Sequence, residues 1–191
     1  MITLIGRSRP ALIEGYAIVS ADSMVADASG TMDGLKFDAD QQFFWASLDT
    51  AAAVAHGRYS AEGGPRGERR RRLILTRRIA GLARDPQNPK ALSWNPSGAS
   101  FEDAWRALGA PDGALAVIGG TGVFGLFLEI GYDSFHLSRA KNLRLPGRRP
   151  LFPKLQRKVT PEEMLAMHGL KPGTEQVLDA SAGVTLVTWA R

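Results

Sequence analysis

The residues best suited to chemistry lie at Gly119-Gly120-Thr121-Gly122-Val123-Phe124-Gly125, a glycine-rich turn directly after the apolar run ALAVI. Glycine backbones let a ligand approach closely, and a helix starting at such a turn offers unpaired N–H groups to a pyrophosphate. Gly120 to Gly125 also spells GxGxxG, the lettering of a dinucleotide fingerprint. That fingerprint wants an acidic ribose ligand about twenty residues downstream. Asp133 comes too early for it, and Leu143-Arg144-Leu145-Pro146 fills the expected place. Gly125 falls inside the apolar stripe Val123, Phe124, Leu126, Phe127 and Leu128, which makes it a helix-interior glycine. The turn reads either as a phosphate site or as an ordinary tight connection from strand to helix.

Arginine supplies most of the net charge of +5. It concentrates in the run Arg69 to Arg72, at Arg77 and Arg78, and at Arg144, Arg148 and Arg149. Such patches can hold nucleic acid, hold the phosphate of a small cofactor, or face solvent. No finger, zipper or basic recognition helix accompanies them, so nucleic acid is not the expected partner. The absence of cysteine excludes disulfides and thiol nucleophiles. His56, His136 and His168 have no acidic cluster beside them and lack ligand spacing, so no metal is expected. No apolar run reaches membrane-spanning length and the N-terminus lacks a signal-peptide pattern, which predicts a cytoplasmic protein without a membrane partner. A length of 191 residues suits a single domain, 1–191, with room for a cofactor cleft.

The elements that must position these groups alternate. Tyr16 to Ser20 predicts a strand and ADSMVADASGTMDG a turn-rich loop. A helix follows over Asp38 to Leu48, with Asp38 as N-cap and Phe43, Phe44 and Trp45 giving bulk. AAAVAHGR and RRLILT predict strands, the first ending at Gly57, and ALSW a short strand inside an Asp- and Pro-rich stretch. Ser100 caps a helix through Leu108, ALAVIGG is a strand into a turn, VFGLFLEIG a helix and SFHLSRA a strand. Thr160-Pro161-Glu162-Glu163 has capping-box spacing and opens a late helix through Met167. GVTLVTWAR closes the chain as a strand with period-two alternation. The pattern predicts an α/β sheet with an antiparallel edge attached.

Taken in order, DQQFFW, AHGRYS, VIGGTGVFGLFL and FHLSRA resemble the dihydrofolate reductase superfamily, including its riboflavin-pathway pyrimidine reductase branch, from about Tyr16 through Pro153. The resemblance implies a dihydrofolate reductase-like three-layer α/β fold, with a mixed, mostly parallel sheet and an antiparallel C-terminal strand. It implies NADPH as cofactor, a small-molecule substrate and a homodimer built through terminal strands. In that family the Gly-Gly peptide of the turn is often cis. Here Gly119 and Gly120 match it, with Thr121, Gly122 and Val123 beside the pyrophosphate and Ile118 and Phe124 flanking. Gly57-Arg58-Tyr59-Ser60 matches the family's second nucleotide contact, Arg58 meeting the 2′-phosphate and Ser60 a phosphate oxygen. Arg77, after Thr76, is a further 2′-phosphate contact, and Ile18 completes the implied cofactor set.

On the substrate side, Asp40 matches the carboxylate that grips the heterocycle and assists protonation, with Asp38 as the competing choice. Ser138 matches the hydroxyl behind that acid. Phe44 would line the ring pocket, and Arg70 stands where folate-reducing members hold the substrate's glutamate tail. The chain also departs from them. Gly34-Leu35-Lys36 replaces their Pro-Trp pair, and SADSMVADASG is closer to the early loop of the pyrimidine reductases, with Ser23 in place of a usual glycine. The implied activity is NADPH-dependent reduction of a pterin. A ribosylated pyrimidine substrate is the runner-up, and a nucleotide-binding protein without catalysis is a further alternative.

Overall fold

The computed structural model describes residues 8–60, 66–146, 149–153 and 159–191. Arg148 of the last basic patch and the first seven residues of the N-terminal segment lie outside them. The elements run β1 (Leu12–Ser20), β2 (Met24–Ala26), α1 (Asp38–Thr50), β3 (Ala53–Gly57), β4 (Arg72–Leu75), β5 (Leu82–Arg84), β6 (Ala91–Trp94) and α2 (Phe101–Ala107). They continue as β7 (Ala114–Gly119), α3 (Thr121–Ile130), β8 (Ser134–Ala140), β9 (Arg149–Pro150), α4 (Pro161–Met167), β10 (Lys171–Pro172), β11 (Gln176–Asp179) and β12 (Val184–Ala190).

The main sheet has the order β10-β12-β8-β1-β7-β3-β4-β6-β5, with β11 also paired to β12. From β8 across to β6 every pairing is parallel, and β5, β10, β11 and β12 attach antiparallel at the two edges. The expected mixed sheet with an antiparallel C-terminal strand is therefore present. β2 and β9 form a separate small ribbon.

Alternation along the strands splits the sheet into two faces. Ile13, Val19, Ala53, Ala55, Leu115, Val117, Phe135 and Leu137 point to the side covered by α2, α3 and α4, where Trp105, Phe124, Phe127 and Leu165 complete the larger core. Tyr16, Val54, Ala116 and Ile118 point the other way, against Phe43, Phe44 and Leu48 of α1. Helices on both faces satisfy a parallel sheet, which has no solvated side.

Local signals hold at several ends. Ser100 accepts from the Asp103 N–H, and Thr160 with Glu163 forms a reciprocal capping box. Three expectations need correction. Asp38 is the first residue of α1 and Phe37 is its cap, without a side-chain bond, so Asp38 serves the first turn as an acid near the positive helix end while Asp40 turns inward. α3 begins at Thr121, because the chain turns directly from Gly120 into the helix. β1 begins at Leu12, where Asp133 accepts the Ile13 N–H at 2.7 Å, a long-range bond that local pattern does not announce.

Gly125 lies inside α3, and a Cβ there would sit 2.6 Å from the Pro153 ring. The rigid ring cannot swing aside, so overpacking of about 1–3 kcal/mol outweighs the roughly 1 kcal/mol that alanine gains in helix propensity. Gly125→Ala is expected to lower the melting temperature; an unchanged or raised value in thermal denaturation contradicts this packing role.

Candidate active site

The parallel strands deliver their C-terminal ends to one side of the sheet. β3 and β7 are neighbours, with His56 opposite Gly119, so Gly57 and the Gly119-Gly120 pair leave the sheet side by side. The Gly119–Gly120 peptide bond is cis. A Cβ on Gly57 would lie 3.5 Å from Val123, 3.6 Å from the Gly120 nitrogen and 3.7 Å from Ser60 Oγ. A Cβ on Gly120 would lie 3.1 Å from the same Ser60 hydroxyl. Above Gly122 a Cβ would meet nothing within 4 Å. The result is a cradle with glycine walls, a hydroxyl on one side and the first turn of α3 on the other. Gly120 caps α3 without a side-chain bond, and no acid occupies the first turn. Its positive end is thus available to an anion, and Thr121 is tied back by donating to the Pro150 carbonyl at 2.8 Å.

β4 is the next strand, with Gly57 opposite Leu75, and carries Thr76, Arg77 and Arg78 to the same edge as Arg58. Arg77 and Arg78 are exposed, and Thr76 Oγ1 accepts the Arg78 N–H at 3.2 Å, fixing the turn. The Arg58 guanidinium lies 4.3 Å over the Tyr59 ring, which is 84% exposed. The predicted cofactor residues Gly57, Arg58, Tyr59, Ser60, Thr76, Arg77, Gly119, Gly120, Thr121, Gly122 and Val123 therefore gather along one edge. Phe124 is buried below Gly119, its ring 3.0 Å from where a Cβ there would be. This donor set fits a phosphorylated dinucleotide such as NADPH: backbone N–H groups for a pyrophosphate and guanidinium forks for a terminal phosphate.

On the α1 face, Ile18 lies opposite Ser138, whose hydroxyl favours the charged form of Asp40. Ile118 and Phe44 belong to the same face. Asp40 is buried, and that burial pushes its carboxyl above the ordinary value of 3.8, while the Ser138 hydroxyl pulls the other way. Between Asp40 and Asp38, the structure turns Asp40 inward and leaves Asp38 exposed. Tyr16 and His136, one step back on the same two strands, stack at 4.6 Å behind this acid and under Phe43. Burial favours neutral imidazole at His136, against the opposing Glu14 charge.

Arg70 lies elsewhere. It is buried at the far end of α1, where Asp49 binds it at 2.7 Å, about 14 Å along the helix from Asp40 by the helical rise. There it borders a cavity of about 340 Å³ lined by Leu48, Asp49, Arg66, Arg69, Arg71 and Lys90 among others. The arginine run is split as β4 is entered: Arg70 and Arg72 are buried, Arg69 and Arg71 exposed.

Sequence reasoning missed how the turn after β1 is fixed. Arg139 donates through Nη1 to the Ser20 and Ala21 carbonyls and to Ser23 Oγ, at 3.0, 3.3 and 3.3 Å, and through Nη2 to Glu162. Asp22 accepts from Ser20 Oγ and from the Leu145 N–H. Ser23 has φ +66°, so the left-handed conformation usual for glycine persists here with serine. The glycine expected at that place was the available signal.

No protein-family model and no curated protein sequence matches this chain. Solved structures do. The chain is similar to a protein provisionally described as a riboflavin biosynthesis protein from Shewanella sp. PV-4, at 18% identity and TM-score 0.65, over 94% of this chain and 98% of that one. It is similar to a pyrimidine reductase-like protein from Corynebacterium diphtheriae, at 16% identity and TM-score 0.64, over 94% and 91%. A diaminohydroxyphosphoribosylaminopyrimidine deaminase/5-amino-6-(5-phosphoribosylamino)uracil reductase from Thermotoga maritima matches at 18% identity and TM-score 0.64; 94% of this chain is covered, but it spans 56% of that one. Dihydrofolate reductase from Enterococcus faecalis, complexed with NADP(H) and RAB-propyl, matches at 15% identity and TM-score 0.61, over 94% and 96%. This chain has the dihydrofolate reductase-like fold. No helix among the described residues is long and apolar enough to cross a membrane.

The buried acid carries a stability consequence. Because the folded state raises the Asp40 pKa, it binds more protons than the unfolded chain above pH 3.8, so this group's contribution declines as pH rises through the folded value. Asp40→Asn is expected to raise the melting temperature at pH 7 and to flatten its decline over that window. A variant less stable than the wild type at pH 7 contradicts the burial cost.

Proposed function

We propose that this chain is an NADPH-dependent reductase acting on a ribosylated aminopyrimidine, the substrate class named for the T. maritima relative. The observation that carries the cofactor half is the meeting of Gly57, Ser60, Gly120 and Val123 at the bare N-terminus of α3. Three of the four solved structures described above bear riboflavin-pathway or pyrimidine-reductase names, which supports the pyrimidine ahead of the pterin and reverses the order expected from sequence.

Ser60 and the first-turn N–H groups of α3 bind the pyrophosphate, and Arg58 with Arg77 binds the 2′-phosphate, selecting NADPH over NADH by charge. NADPH, when bound, supplies a hydride to an electron-poor carbon of a C=N or C=O bond. Asp40 handles the proton, its burial favouring the neutral carboxyl and the Ser138 hydroxyl the charged one. Ile18, Ile118 and Phe44 exclude water from the ring side of the site. Reduction of a pterin is the second reading, and the Asp40–Ser138 pair favours it, since a carboxylate can accept from two parallel N–H donors of an aminopyrimidine edge.

NADPH consumption is the direct test. Turnover with the phosphoribosylamino-uracil substrate and none with dihydrofolate is expected; the reverse selects the pterin, and NADPH binding without either turnover indicates a non-catalytic protein. Arg58→Ala should weaken NADPH binding by about 10- to 100-fold, as loss of a charge-assisted contact does, and leave NADH nearly unchanged. Equal losses for both cofactors, read by calorimetry, remove Arg58 from the 2′-phosphate.

A further inference from the structure

His56 stands one residue before the cofactor turn, is 2% exposed, and has its ring on the α1 face of β3. Its two ring nitrogens meet partners of opposite kind. Nδ1 lies 2.8 Å from the Gly57 carbonyl oxygen, and Nε2 lies 3.2 Å from Arg72 Nη1. A carbonyl oxygen can only accept, so the nitrogen facing it carries the proton. A guanidinium can only donate, so the nitrogen facing it presents a lone pair. The Gly57 contact places a hydrogen on Nδ1, and the guanidinium beside Nε2 opposes a second proton there. Arg72 is itself held, since Nη2 donates to the Gly67 carbonyl at 2.6 Å.

The Gly57 carbonyl accepts a second bond, from the Ser60 N–H at 2.9 Å. These two donors fix the turn from Gly57 to Ser60, and that turn sets the direction of Arg58 and brings Ser60 Oγ against Gly120. We propose that His56 is a positioning residue for the cofactor-phosphate turn, held as its Nδ1–H tautomer between the Gly57 carbonyl and Arg72. The proposal rests on the cofactor reading above and adds to it the device that keeps the turn in its binding conformation. A histidine that only filled core space would have no fixed tautomer and would be replaceable by any side chain of similar bulk.

The test combines a spectroscopic signature with two substitutions. In protein labelled with 15N-histidine, long-range 1H–15N correlation at neutral pH is expected to give the Nδ1–H tautomer for His56; an Nε2–H tautomer or an imidazolium overturns the proposal. The His56→Asn amide can place an N–H donor close to where Nδ1 sits, whereas His56→Leu cannot. NADPH titration followed by fluorescence should find His56→Asn within about twofold of wild type and His56→Leu weakened about tenfold, the loss expected for one buried hydrogen bond. Thermal melts establish that each variant is folded. A folded His56→Leu that binds NADPH as wild type does, or a folded His56→Asn that loses affinity as far as leucine does, overturns the proposal. If His56→Leu does not fold, the asparagine variant and the tautomer decide. Failure of the wild-type protein to bind NADPH removes the cofactor reading itself, whereas the wrong tautomer in a protein that binds NADPH removes the positioning role alone.

Discussion

Two backbone turns, at the ends of β3 and β7, lie side by side within van der Waals reach, and the arrangement of the site depends on that approach. Parallel pairing puts His56 beside Gly119, so the chain leaves both strands at one height. Glycine at position 120 leaves room for the Ser60 hydroxyl, which lies 3.1 Å from where a Cβ would be, and Ser60 also faces Gly57. The same closeness lets α3 begin directly at the turn, with its unpaired N–H groups beside Ser60 rather than buried in the core. Neighbouring β4 then needs no special device to add Thr76 and Arg77, because register alone places its end next to Gly57.

The opposite faces of the sheet carry different obligations. The face under α2, α3 and α4 is nearly all apolar, and supplies most of the buried surface that stabilises the chain. The α1 face includes Asp40, Ser138, His56, Arg72 and the Tyr16–His136 stack, polar groups whose burial is favourable only where partners meet them. Asp40 has one such partner in Ser138 and still has its ionisation opposed by burial. A buried carboxyl whose ionisation is opposed is the kind of group found at functional sites. The stability lost there is recovered by apolar packing on the other face.

Much of this was legible beforehand, for physical reasons. Period-two alternation marked β12, the Thr160–Glu163 spacing marked the start of α4, and the apolar stripe around Gly125 identified it as a packing residue. The ordered motifs put Asp40 beside Ser138 and the two glycine turns together, and the structure brings them there. What stayed hidden depends on long-range geometry. Arg70 and Arg72 were indistinguishable from Arg69 and Arg71 in a run of like residues until the tertiary fold decided which were buried. The Arg139 bonds to the turn after β1 join residues well over a hundred positions apart, and no local pattern encodes them. The short strand β5 was missed because it is recruited by β6 rather than by its own propensity. Asp38 was read as a cap because its residue type suits one, yet the extended backbone conformation falls on Phe37.

The central claim is that the ends of β3, β4 and β7 form one dinucleotide site. Backbone amide shifts followed during NADPH titration of 15N-labelled protein test it most directly. The account predicts saturable shifts confined to Gly57–Ser60, Thr76–Arg78 and Gly119–Phe124, with little change around Asp49, Arg66 and Lys90. Shifts centred on that distant arginine-lined cavity, with the two glycine turns unmoved, would contradict it.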